Sequence, residues 1–78
     1  MPTVLRIKGY RFFFFSNEGN EPIHIHVEKA GNYAKFWLDS IKIAIDLGFH
    51  RKELKEILSI IEEHNEIIIN KWDEYFAK

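Results

Sequence analysis

The sequence predicts an α+β domain: an antiparallel sheet of four to five strands packed against one long C-terminal helix. Two observations carry this. Residues 3 to 47 divide into short apolar or alternating runs separated by turn-forming Gly, Asn, Asp and Ser. Residues 51 to 77 contain neither Gly nor Pro, and their apolar positions recur at three- and four-residue steps.

Each element follows from its residues. Thr3 to Ile7 is β-branched and apolar and reads as a strand, closed by a turn at Lys8-Gly9. Tyr10 to Ser16 is the strongest strand signal. Its four consecutive phenylalanines, Phe12 to Phe15, place aromatic rings on both faces, as in a strand covered on each side. Ser16 to Pro22 is a loop of turn formers. Ile23 to Lys29 is a third strand, and the short turn at Ala30-Gly31-Asn32 returns the chain as Tyr33 to Leu38. After Asp39-Ser40, Ile41, Ile43, Ile45 and Leu47 alternate with Lys42, Ala44 and Asp46, which fits a fifth strand ended by Gly48.

The helix expected from Arg51 to Ala77 would span roughly 40 Å if unbroken, longer than a small sheet is wide. Its apolar stripe runs through Leu54, Ile57, Leu58, Ile61, Ile68, Trp72, Tyr75 and Phe76. Asn65 falls within the stripe and marks His64-Asn65 as the place for a break. His50 occupies the cap position, with Glu53 three residues on. Ile60 and Ile67 lie seven residues apart on a second face of a continuous helix, which points to a contact with another chain, a homo-oligomer among the options.

The 78 residues are read as a single domain, 1–78, with a thin core. There is no cysteine, which excludes disulfides and thiolate zinc sites. Hydrophobic residues at 46% argue against disorder. No apolar run is long enough to cross a bilayer and residues 1 to 4 do not read as a signal peptide, so a cytoplasmic protein without membrane association is expected. Net charge is −1, so no global field draws the chain to nucleic acid. Gly-rich phosphate loops and Ser-His-Asp arrangements are absent, and no cofactor is expected.

The candidate chemistry lies in Glu21-Pro22-Ile23-His24-Ile25-His26-Val27-Glu28-Lys29. On a strand, His24, His26 and Glu28 share one face and Ile23, Ile25 and Val27 the other. Histidine exchanges protons near neutrality and ligates metals. One reading is a His-x-His metal pair with Glu28, although three ligands from one flat row are awkward. A second is metal-independent, ribonuclease-like chemistry, with His24, His26, Glu28 and Lys35 as catalytic candidates. Arg11 and Lys29 would then balance phosphate charge, while Tyr33 and Trp37 stack on bases. The plainer reading makes both histidines ordinary polar residues on a solvated or helix-covered sheet face.

At these residues the chain resembles a family of small bacterial proteins, domain of unknown function 4160. The resemblance rests on Met1-Pro2-Thr3-Val4, Gly9-Tyr10-Arg11-Phe12-Phe13-Phe14, Ser16-Asn17-Glu18, Glu21-Pro22, His24-Ile25-His26-Val27, Ala34-Lys35-Phe36-Trp37-Leu38, Gly48-Phe49 and Trp72-Asp73-Glu74-Tyr75-Phe76. It departs from the usual pattern at Ile23, where a second proline often stands, and at His50, which replaces a capping serine. Family members often neighbour a gene for another small domain, in pairs that resemble toxin–antitoxin modules. The resemblance therefore implies a toxin-like protein neutralised by a small antitoxin-like partner; RNA is a candidate target through the histidine-face reading alone. The alternative is a non-catalytic protein-interaction or regulatory module.

Overall fold

The computed structural model describes residues 3–15 and 21–76. The turn expected at residues 16–20 and the helix end expected at residue 77 lie outside the described residues. Five strands come first: β1 (Thr3–Ile7), β2 (Tyr10–Phe13), β3 (His24–Lys29), β4 (Asn32–Trp37) and β5 (Lys42–Leu47). They form one antiparallel sheet in sequence order, β1-β2-β3-β4-β5. Two helices follow, α1 (Arg51–Glu63) and α2 (Asn65–Phe76).

Two tight turns set the register. Lys8 and Gly9 have φ of 53° and 85°, and Ala30 and Gly31 have 51° and 83°. Positive φ at both central residues is the turn whose twist matches a two-residue hairpin. The hairpins place Arg6 opposite Arg11, and His26 opposite Lys35. At the end of β5, Gly48 has φ of 103°, and a Cβ there would collide with Oδ1 of Asn32. Only glycine fits that corner.

The sheet has one covered face. Tyr10, Phe12, Ile25, Val27, Ala34 and Phe36 are buried against Ile57, Ile60 and Ile61 of α1 and Ile68 and Trp72 of α2. Each Val, Ile or Phe side chain among them, removed from water, stabilises the fold by about 1.5–3 kcal/mol. The hairpin also grips α1 through polar contacts. The Tyr10 hydroxyl donates to Glu56 at 2.9 Å, and Lys8 pairs with the same carboxylate at 3.4 Å. At the start of α1, the Glu53 side chain accepts the His50 backbone N–H at 2.9 Å, so the weak cap is closed by its partner.

The C-terminal part corrects the expectation of one long helix. His64, at φ −110° and ψ 18°, leaves the helical region and separates α1 from α2. Its N–H still bonds Ile60, and Ile68 bonds back to His64, so the interruption costs little hydrogen bonding. Running straight on, the helix would outrun the sheet. With the break, Trp72 meets Phe14 edge-on at 5.2 Å between ring centres. The break also separates the two isoleucines read as one second face: Ile60 is 4% exposed in the core and Ile67 46% exposed.

Among the described residues, no helix is long and apolar enough to cross a membrane.

Candidate functional site

The face of the sheet away from the main core carries the histidine row. Alternation places His24, His26 and Glu28 there, opposite Trp37, Lys35 and Tyr33 of β4. On the other side β2 supplies Phe13 opposite His26 and Arg11 opposite Glu28. On the far side β5 supplies Lys42 opposite Trp37, Ile45 opposite Lys35 and Leu47 opposite Tyr33. Thus Arg11, Tyr33, Lys35 and Trp37 do share the histidine face, as the sequence suggested. Lys29 does not: its ammonium lies over the Tyr10 ring at 4.5 Å, and Tyr10 belongs to the main core.

The row divides into two sites. In the first, His24 is 0% exposed and His26 2% exposed. Their rings meet edge-on at 5.0 Å. His26 is flanked by Phe13 at 5.5 Å, Phe15 at 4.4 Å and Tyr33 at 5.8 Å. His24 is flanked by Trp37 at 5.7 Å and by Trp72 of α2 at 5.0 Å. Each Nδ1 is engaged. That of His24 donates to the Pro22 carbonyl at 2.8 Å, and that of His26 shares a hydrogen bond with the Tyr33 hydroxyl at 2.6 Å. The imidazoles thus behave as polar rings within an aromatic cluster, each hydrogen-bonded through Nδ1.

Lys35 roofs this cluster. Its ammonium lies 4.6 Å from the centre of the Trp37 ring and pairs with Glu21 at 2.9 Å. The same Glu21 oxygen is 3.8 Å from Nδ1 of His24. Glu21 is therefore a member of the site that strand periodicity missed, because it stands before the strand begins. Trp72 was missed for a different reason: only the helix break delivers it to His24.

The second site lies toward the hairpin turns. Glu28, a catalytic candidate from the sequence, accepts from Nη1 of Arg11 at 2.9 Å. Nε of Arg11 donates to the Thr3 hydroxyl at 2.9 Å, and its guanidinium stacks on Phe13 at 4.4 Å. A groove of about 340 Å³ opens here, lined by Arg6, Arg11, Glu28 and Tyr33 together with Lys29 and the Ala30-Gly31 turn. Among the described residues, no group of three or more His, Cys, Asp or Glu side chains is placed to hold a metal ion. Glu28 is committed to arginine, so a His24–His26–Glu28 metal triad is not assembled.

The titrating contact that departs most from ordinary behaviour lies on the covered face. Burial, and then the hydrogen bond to Glu56, push the Tyr10 hydroxyl up to about 12. The Glu56 carboxyl is held below its usual range, mainly by the bond from Tyr10 and then by Lys8. This pair is a structural tie between sheet and helix.

Fold and site together define an α+β domain with one helix-covered sheet face and one face closed by the sheet's own rings and ion pairs together with Trp72 of α2. The chain belongs to the family described as Domain of unknown function (DUF4160), which it matches over residues 9–73. The match takes in both histidines, the helix break and Trp72. No curated protein and no solved structure matches this chain.

Proposed function

We propose that the chain is a non-catalytic recognition module, the toxin-like member of a two-protein pair, which binds a small protein partner on the open sheet face beside β5. The observation that carries this reading is the apolar character of that edge. On that face Ile45 and Leu47 are 40% and 61% exposed; Ile43, opposite Phe36, lies on the other side of the strand. An antiparallel sheet facing water on one side is usually polar there. Here Leu47 stands opposite the half-buried Tyr33, and Ile45 stands opposite Lys35, so two exposed apolar side chains lie side by side along the edge of this face. Such an edge on a small protein is a protein-contact surface. The register shift at Ala44 twists this edge, as in edges guarded against indiscriminate pairing, so the partner engages side chains more than the backbone ladder.

Burial of the histidines supports binding over chemistry. A general acid or base must come within hydrogen-bond reach of the substrate. Two imidazoles with almost no exposed surface cannot reach a phosphodiester without the cluster opening.

An RNA-directed catalytic toxin is the second reading. It draws support from the Glu21–Lys35 ion pair beside His24 and from the short His26–Tyr33 hydrogen bond. One experiment separates the two. The purified product of the neighbouring gene is mixed with wild-type protein, with Ile45→Lys/Leu47→Lys and with His24→Asn/His26→Gln, each first verified as folded by circular dichroism. Growth inhibition on expression is scored in parallel. The binding reading expects the β5 variant to lose the complex and the histidine variant to keep both the complex and growth inhibition. A folded histidine variant that loses inhibition yet still binds would transfer the function to the catalytic reading.

A further inference from the structure

We infer that the groove between the two hairpin turns is a binding site for a phosphate group, held by Arg6 and Arg11. The site adjoins the β5 surface and the histidine cluster, with Tyr33 common to all three, and it does not rest on the proposed function. Arg6 and Arg11 are direct cross-strand partners on one face of β1 and β2. Like charges directly opposite are unfavourable in a sheet unless something neutral or negative sits between them. Glu28 answers only one of the two: it bonds Arg11. The contacts from Nε to Thr3 and from Nη1 to Glu28 hold the Arg11 guanidinium in a fixed plane. Arg6 is exposed at the rim of the same groove. The groove has arginine from two strands, a third cation in Lys29, whose ammonium rests over Tyr10, a single acid, and room of about 340 Å³ for a nucleotide-sized ligand.

The chemistry favours phosphate over carboxylate. Two guanidinium forks from adjacent strands offer donors to more than two oxygens, which matches a tetrahedral anion. Tyr33 also lines the groove, and one side of its ring stacks on His26. The arrangement fits a nucleotide whose phosphate meets the arginines and whose base lies over Tyr33. The neighbouring turn leaves space: a Cβ added at Gly31 would meet nothing within 4 Å.

The phosphate can come from a free nucleotide or from a single-stranded RNA, and two probes distinguish them. The ¹⁵N-labelled protein is titrated at low salt with adenosine monophosphate and with an oligouridylate of about eight nucleotides, following the backbone amides of Gly9 and Gly31 and the Nε–H of Arg6 and Arg11. Shifts at these groups that saturate with either probe support the site. Saturation with the monophosphate identifies a free nucleotide as sufficient, and saturation with the oligomer alone identifies a strand. Arg6→Gln, a surface change that leaves the fold intact, should weaken binding at least fivefold, while Arg6→Lys restores part of it. The salt slope for RNA should fall by about 0.7 in Arg6→Gln. No shift with either probe, shifts confined to other residues, or unchanged affinity in folded Arg6→Gln would overturn the inference.

Discussion

The two faces of the sheet are built from the same strands but closed by different physics. On one face, Phe12, Ile25, Val27 and Phe36 are buried by aliphatic residues of the helices. On the other, His24 and His26 are buried by rings, hydrogen bonds and the Glu21–Lys35 pair. The first face depends on close-packed volume and tolerates little loss. The second keeps polar groups in place by directional contacts, and gives way at β5 to exposed isoleucine and leucine. A thin domain can thus commit most of its helical surface to one face, and in the reading proposed above the other is left for recognition.

Neighbouring residues on opposite faces give the sharpest test of this difference. Phe36→Ala should cost about 3–5 kcal/mol by chemical denaturation, enough to unfold much of a domain this small. Trp37→Ala, on the open face and half-buried, should cost less than half as much. Equal losses would mean that the two faces are equally structural.

The helix break offers the next comparison. Ile60→Ala should lose about 2–5 kcal/mol, whereas Ile67→Ala should change stability by about 0.5 kcal/mol or less. In an unbroken helix the two positions would share a face and respond alike.

Tyr10→Phe probes the tie between the covered face and α1, with an expected loss of about 1 kcal/mol. The pH response has two signs. The Tyr10 pKa is raised in the folded state from 10.0 to about 12, so its contribution is complete below pH 10 and is lost as pH rises toward 12. Glu56 is lowered from 4.5, so its contribution is present above that value and is lost as pH falls through the depressed folded value. Tyr10→Phe should flatten the alkaline limb and weaken the acid one in denaturation curves recorded against pH. The smallest effect is expected at a turn. Ala30→Asn supplies a residue that tolerates φ of 51° and should stabilise by about 0.5–1 kcal/mol, read as a higher melting temperature.

Much of the sheet was legible in the sequence because period-two alternation and Gly-containing turns are local signals. Lys8-Gly9 and Ala30-Gly31 determine the hairpin registers, so the shared face of His26 and Lys35 follows from counting alone. The same counting places Arg6 opposite Arg11. The helix break was readable only as a weak residue in a stripe, since its cause is tertiary: Ile68 and Trp72 must return to the sheet. Burial of the histidines was not legible, because it comes from Phe13, Phe15 and Trp72, and helical periodicity assigned Trp72 to the core alone. Glu28 was misjudged because Arg11, on another strand, outcompetes any histidine for it.

The most direct test of recognition on the open face is an NMR titration of the labelled protein with the purified product of the neighbouring gene. The account predicts broadening or shifts at Ile45 and Leu47 with the His24 and His26 ring signals unmoved. Perturbation centred on the histidine rings, with β5 unchanged, would contradict it.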